Sequence, residues 1–241
     1  MNIVGSKFVV TGASGNLAKG LCKYLCDLGA EVVGLDLKQA DPPSLDRFKF
    51  LSCDLTDEEE AARVFSDVGA LDVLVNLAGQ LHTKPVFSPF EQPRRLSVEE
   101  WQSVVDANLR TCFVAGSLAI ENMIAARRKG LLINISSIMA RGQTGQSAYA
   151  AAKAGVEAMG LVWAKELSAA GIRCVTVAPG FFETDTTFNA LSDTKLNEAL
   201  SSVPSKRLGH AAELYDCIES IIRNDYFNGT VISLDGGVSL R

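Results

Sequence analysis

With 241 residues, of which 47% are hydrophobic, the chain can bury one full core, so a single domain over 1–241 accounts for its length. A formal charge of −5 leaves little basic surface for a polyanion and argues against nucleic acid as a partner. The longest apolar runs, such as Leu71–Val75 and Leu131–Ile135, fall far short of the roughly 20 residues a membrane span needs, so no membrane partner is expected.

The first element is a short apolar run, KFVV, that predicts a strand over 7–11. It enters the turn Thr11-Gly12-Ala13-Ser14-Gly15-Asn16-Leu17-Ala18, and Lys19 to Leu28 then reads as a helix. Strand, glycine turn and helix in that order let backbone amides approach a pyrophosphate, whose charge is favoured at a helix N-terminus. The next strand, over 31–36, ends at Asp36. A carboxylate there accepts hydrogen bonds from both hydroxyls of an adenine ribose and repels a 2′-phosphate, which favours NAD over NADP. Lys38 tempers that choice, because it lies close enough in sequence to pair with a phosphate.

Only the 17 residues of 37–53 separate Asp36 from Asp54, and they contain Pro42-Pro43, so a helix there is lost or reduced to a turn. Strands follow over 48–53 and 71–76. Gln80 to Leu96 is a polar loop with three prolines, and helical sequence runs on from Ser97 to Ala126. A strand over 130–137 holds Ser136 and Ser137, and QSAYAAAKAGVEAMGLVWAKEL (146–167) reads as a helix. Tyr149 and Lys153 are four apart and share a face of that helix. A cation beside a phenol stabilises the phenolate and draws its pKa towards the working range, which makes the pair a usable acid/base. Strands over 172–178 and 229–234 complete the alternation, which implies one doubly wound, parallel α/β sheet of Rossmann-like form with helices on both faces. The segment 181–204 between them is rich in Ser, Thr and Asp and suits a flexible cover over a substrate.

The six cysteines (22, 26, 53, 112, 174, 217) include no CxxC pair and sit mostly in apolar runs, so no metal and a reducing compartment are expected. Because MNIVGSKFVV runs straight into the first strand, no export signal is expected and the cytoplasm is the anticipated location. His82 and His210 are isolated in sequence and read as non-catalytic.

These motifs together resemble the short-chain dehydrogenase/reductase family. The likeness rests on TGASGNLA at 11–18, Asp54-Leu55, Asn76-Leu77-Ala78-Gly79, Asn108 in DANL, Asn134-Ile135-Ser136-Ser137, Tyr149-x-x-x-Lys153, Pro179-Gly180 with Thr184, and Leu234-Asp235-Gly236-Gly237. The turn departs from the usual TGxxxGxG: Gly15 comes one place early, and Ala18 stands where the last glycine belongs. The resemblance implies cofactor contacts from Gly12, Ser14, Gly15, Asn16, Leu17, Asp36, Asp54, Leu55, Asn76, Ala78, Gly79, Tyr149, Lys153, Pro179, Gly180 and Thr184. It assigns catalysis to Asn108, Ser137, Tyr149 and Lys153. Tyr149 would move the hydroxyl proton, Lys153 would lower its pKa and hold the ribose, Ser137 would orient the substrate oxygen, and Asn108 would anchor a water chain. The family's usual spacing of thirteen points to Ser136 instead of Ser137. Strand alternation lets only one of the two face the substrate, and the loop 138–147 absorbs a deletion more easily than the strand slips, which favours Ser137.

Within the family the chain is similar to the hydroxyacyl-CoA dehydrogenases that also act on hydroxysteroids, which implies a hydroxyacyl substrate, with Lys84, Arg94 and Arg95 placed to meet a CoA phosphate. The stretch PGFFETDTT is similar to 3-oxoacyl-carrier-protein reductases, which implies NADPH instead. Steroids and cyclic alcohols are further alternatives, and a non-catalytic NAD-sensing module is the alternative of another class. The helices from Ser97 and from Gln146 carry more apolar positions than one sheet-facing stripe needs, and with the resemblance they imply a homotetramer or homodimer.

Overall fold

The computed structural model describes residues 1–38, 45–90, 92, 94–184, 187 and 200–240. Seven parallel strands form one sheet in the order β3-β2-β1-β4-β5-β6-β7. They are β1 (Lys7–Thr11), β2 (Glu31–Asp36), β3 (Phe48–Ser52), β4 (Val73–Asn76), β5 (Gly130–Ile135), β6 (Ile172–Pro179) and β7 (Thr230–Leu234). The helices are α1 (Asn16–Asp27), α2 (Glu58–Val68), α3 (Val98–Val105), α4 (Thr111–Ala125), α5 (Ser147–Glu166) and α6 (Ala211–Arg223).

Strand alternation sends β1 side chains to two separate cores. Phe8 and Val10 pack with Leu21 and Leu25 of α1 and Ile218 and Ile222 of α6. Val9 packs on the other face with Phe65 of α2, Met123 of α4 and Trp163 of α5. β1 pairs with both β2 and β4, so the strand order reverses there, and a crevice opens beyond the carboxyl ends of those strands. Every segment singled out for cofactor or catalysis lies at that end of the sheet, or on the helices that start from it.

Element ends are the main difference from the sequence reading. β4 begins at Val73 instead of 71, because the amide of Asp72 pairs with the carbonyl of Lys7 before the ladder opens. β5 ends at Ile135, and Ser137 instead caps a 3₁₀ turn over Ile138–Arg141. The helical run after Ser97 is interrupted by one π-helical turn, Asp106–Arg110, between α3 and α4. α3 starts with a reciprocal capping box between Ser97 and Glu100, and α2 starts on the carboxylate of Asp57. Pro42-Pro43 and most of 181–204 lie outside the described residues. Among the described residues no helix is long and apolar enough to cross a membrane, and no group of His, Cys, Asp and Glu gathers to hold a metal ion.

Candidate active site

The crevice starts at the glycine turn. Gly12 has φ +69°, and a Cβ on it would lie 2.8 Å from the Cα of Ala78, so any other residue would push the turn away from the end of β4. Thr11 closes the same seam: its Oγ1 accepts from the amides of both Leu77 and Ala78 at 3.1 Å. Gly15, the N-cap of α1, has extended backbone, and no acidic residue stands in the helix's first turn. The start of α1, with Asn16 and Leu17, therefore presents a positive helix end with no built-in anion. Asp36 is held from two sides, one carboxylate oxygen accepting from Ser14 N (2.9 Å) and the other from Leu37 N (2.7 Å). Ser14 Oγ donates to the carbonyl of Lys38 at 2.6 Å, so the turn and the end of β2 form one rigid corner. These residues fit a dinucleotide: a cation-like helix end for its pyrophosphate and a fixed carboxylate for its adenine ribose. Asp54, at the end of β3, spends one oxygen on the amide and hydroxyl of its own turn residue Thr56, and Leu55 beside it is buried.

β4 ends in Asn76, Ala78 and Gly79. The side chain of Asn76 turns into the core, where its amide donates to Asn134 Oδ1 of β5 (3.0 Å) and to the carbonyl of Cys112 (3.4 Å). Its amide bridges strands, while its Oδ1 is buried without a partner among the described residues. Gly79 is where the loop 80–96 leaves the sheet, and a Cβ there would stand 2.5 Å from Asn108 Oδ1. Asn108 sits on the π turn, 1% exposed, and grips the backbone of Gln80 twice: Oδ1 accepts from its amide (3.2 Å) and Nδ2 donates to its carbonyl (2.9 Å).

The two serines part company at the end of β5. Ser136 stays paired, its amide on the Val177 carbonyl, and its hydroxyl lies 2.9 Å from Glu157 and 3.2 Å from the Lys153 carbonyl. Ser137 Oγ accepts from the amide of Met139 at 3.2 Å and stands near enough to the Tyr149 hydroxyl to lower its pKa. Lys153 is 5% exposed; its Nζ donates to the Ile135 carbonyl at 2.9 Å and lies 5.7 Å from the centre of the Tyr149 ring. Burial lowers the Lys153 ammonium to about 8, with Cys112 pulling the other way. Burial also raises the Tyr149 phenol, opposed by the Ser137 hydroxyl beside it. In the free protein, then, desolvation outweighs any help from Lys153, and the tyrosine pKa moves away from neutrality.

At β6 the amide of Gly180 donates to Leu234, and a Cβ on Gly180 would strike the backbone of Asp235 at 2.7 Å, so Pro179-Gly180 lies flush against the chain end of β7. The Thr184 hydroxyl accepts from the amide of Thr187. His210 caps α6 and its Nδ1 pairs with Glu183 at 2.9 Å, away from Tyr149. Lys84, offered as a phosphate contact, is bound to Glu100 at 2.7 Å, while Arg94 and Arg95 are exposed. Sequence reasoning quoted Thr11, Asn134 and Ile135 within its motifs but gave them no role, and it passed over Glu157.

The family model for short chain dehydrogenases matches residues 6–195. The 3-oxoacyl-[acyl-carrier-protein] reductase FabG of Vibrio cholerae is 31% identical over 250 residues, covering 99% of each chain. The 3-hydroxyacyl-CoA dehydrogenase type-2 of Homo sapiens is 32% identical over 256 residues, covering 100% of this chain and 97% of that protein. An Agrobacterium tumefaciens protein solved with bound NADP superposes with a TM-score of 0.88 at 29% identity, over 99% of this chain and 98% of the other.

Proposed function

Because this chain belongs to the short-chain dehydrogenases, oxidoreductases that act on CH–OH groups, we propose that it interconverts a secondary alcohol and a ketone with NAD, taking a 3-hydroxyacyl thioester as substrate. The observation that carries this reading is the juxtaposition of Ser137, Tyr149 and Lys153 at the carboxyl end of β5, with Asn108 fixed on Gln80 beside them. The bound nicotinamide supplies the hydride acceptor or donor. Tyr149 Oη holds the proton of the reacting hydroxyl and passes it on. Ser137 Oγ orients the same oxygen from its place beside the Tyr149 hydroxyl. Lys153 carries the charge that opposes burial of a phenolate, and it holds the ribose hydroxyls. Asn108, fixed on Gln80 and the Val104 carbonyl, would anchor a water chain for proton exit. Gly12, Ser14, Gly15, Asn16 and Leu17 would cradle the pyrophosphate, Asp36 the adenine ribose, Asp54 and Leu55 the adenine side, and Ala78, Gly79, Pro179, Gly180 and Thr184 the nicotinamide half.

NAD is favoured by Asp36, whose carboxylate is immobilised by two amides and so cannot swing away from a 2′-phosphate. A second reading, NADPH-dependent reduction of a 3-oxoacyl carrier, draws support from the bacterial reductases and from the neighbour with bound NADP. Comparing catalytic efficiency with the two cofactors separates them. We expect NAD to win and Asp36→Ala to narrow the gap, whereas parity in the unmodified protein would favour the second reading. Six free cysteines agree with a reducing, cytoplasmic setting, and assembly into a homotetramer or homodimer completes the proposal.

A further inference from the structure

Lys153 is tied to the end of β5 twice. Its Nζ donates to the carbonyl of Ile135 at 2.9 Å, and its own carbonyl accepts from the hydroxyl of the next residue along, Ser136, at 3.2 Å. That hydroxyl also donates to Glu157 Oε1 at 2.9 Å, so a single proton is shared between two acceptors. Ser136 is buried, and its amide is fixed on the carbonyl of Val177, which keeps the hydroxyl in place between strand and helix.

Glu157 stands one turn beyond Lys153 on α5, at the separation where opposite charges on a helix normally pair. Here the two part: the ammonium turns to the backbone of β5, and the carboxylate turns to Ser136. A carboxylate seated on the ammonium would cancel the charge that opposes burial of a phenolate at Tyr149, and it would draw Nζ away from the ribose hydroxyls. Resting on the reading of the chain as a secondary-alcohol dehydrogenase, we infer that Ser136 and Glu157 are positioning residues for Lys153: the serine hydroxyl fixes the backbone of the lysine to β5 and holds the carboxylate off its ammonium.

Both residues act through Lys153. Among the described residues, the other titratable groups at its ammonium are the Tyr149 phenol on the same helix and the Cys112 thiol on α4, while β5 meets it with backbone. Loss of the Ser136 hydroxyl therefore does two things at once. It releases the carbonyl of Lys153 from β5, and it frees the Glu157 carboxylate to close on the ammonium across one helical turn.

The test is the pH dependence of turnover, with NAD, on the 3-hydroxybutyryl thioester of N-acetylcysteamine and on 2-pentanol. In alcohol oxidation turnover rises with pH as the coupled Tyr149 and Lys153 give up a proton, and a neutralised cation stabilises the phenolate less. Ser136→Ala should lower turnover near neutral pH roughly 2- to 10-fold, as the loss of one ordinary hydrogen bond allows. It should also move the midpoint of the profile upwards by a few tenths of a pH unit or more. Adding Glu157→Gln to Ser136→Ala removes the freed charge and should bring the midpoint back, a rescue that a merely structural hydroxyl does not give. An unmoved midpoint in Ser136→Ala overturns the inference, and so does a raised midpoint that Glu157→Gln leaves where it is. In both cases the active unmodified protein keeps the dehydrogenase reading. If the unmodified protein oxidises neither alcohol, that reading falls and the positioning role falls with it. Should Ser136→Ala fail to fold, Ser136→Cys, close in size and a weak donor, carries the same expectation.

Discussion

Tyr149 and Lys153 are each pushed by burial towards the neutral form, the phenol upwards and the ammonium downwards to about 8. Burial therefore opposes the ionised form of both members of the pair that the sequence shows as four-residue spacing. If Tyr149 transfers the proton, Tyr149→Phe should keep the fold and the dinucleotide while turnover falls roughly 10²–10⁴-fold. Ser137→Ala should cost much more turnover than Ser136→Ala, whose partners are Glu157 and the backbone of α5. Steady-state kinetics beside dinucleotide titration checks both, and near-normal turnover in Tyr149→Phe would return the chain to the non-catalytic reading. Lys153 gives a stability prediction with a definite sign. Its folded value of about 8 lies below the ordinary 10.5, so between those values the unfolded chain binds more protons and this group's contribution to stability rises with pH. Below about 8 the cost of burying the ammonium is carried in full. Unfolding by urea at pH 7.5 and again near pH 10 should show the unmodified protein gaining on Lys153→Met, and a constant difference between the two would contradict the assignment.

Among the elements, the π turn at Asp106–Arg110 and the loop from Gly79 act as one piece, joined by the two bonds between Asn108 and Gln80. Gly79→Ala places a methyl 2.5 Å from Asn108 Oδ1, so it should break that grip and cost roughly 1–3 kcal/mol in unfolding free energy, with reduced turnover. Denaturant melts check the first and kinetics the second; full stability would mean that Asn108 has room to move. The strands and the long helices were legible in the sequence because short continuous apolar runs mark strands buried on both faces, and helical apolar patterns mark the helices that cover them. The π turn was not, since its widening comes from tertiary bonds of one asparagine and leaves the apolar pattern of 97–126 intact. The direction of the Asn76 side chain was not legible either: its motif marks the end of β4, but the side chain turns inward to Asn134 on the next strand. The different surroundings of Ser136 and Ser137 were not fully legible, because β5 ends at Ile135 and Ser137 starts the 3₁₀ turn at Ile138–Arg141.

At the scale of the molecule, the reversal of strand order between β1 and β4 collects the glycine turn, Asp36, Asn108 and Tyr149 at one crevice. Outside it, Val98 and Trp101 on α3, Phe113 on α4, and Leu161 and Val162 on α5 stay exposed to between 39% and 75%, an unusual outlay of large apolar surface for neighbouring helices. A second copy of the chain would cover it, so light scattering at micromolar concentration should find a dimer or tetramer, and a monomer would refute the assembly. The thiols tell a different story about the same fold. Cys22, Cys26, Cys53, Cys112 and Cys174 are buried and Cys217 half-buried, and burial holds all six above the usual thiol range. Thiolate is the form that alkylating reagents and peroxides attack. Such reagents therefore meet the five buried thiols chiefly when the chain breathes open, and those cysteines serve as a chemical clock for that opening, with half-buried Cys217 as an internal comparison.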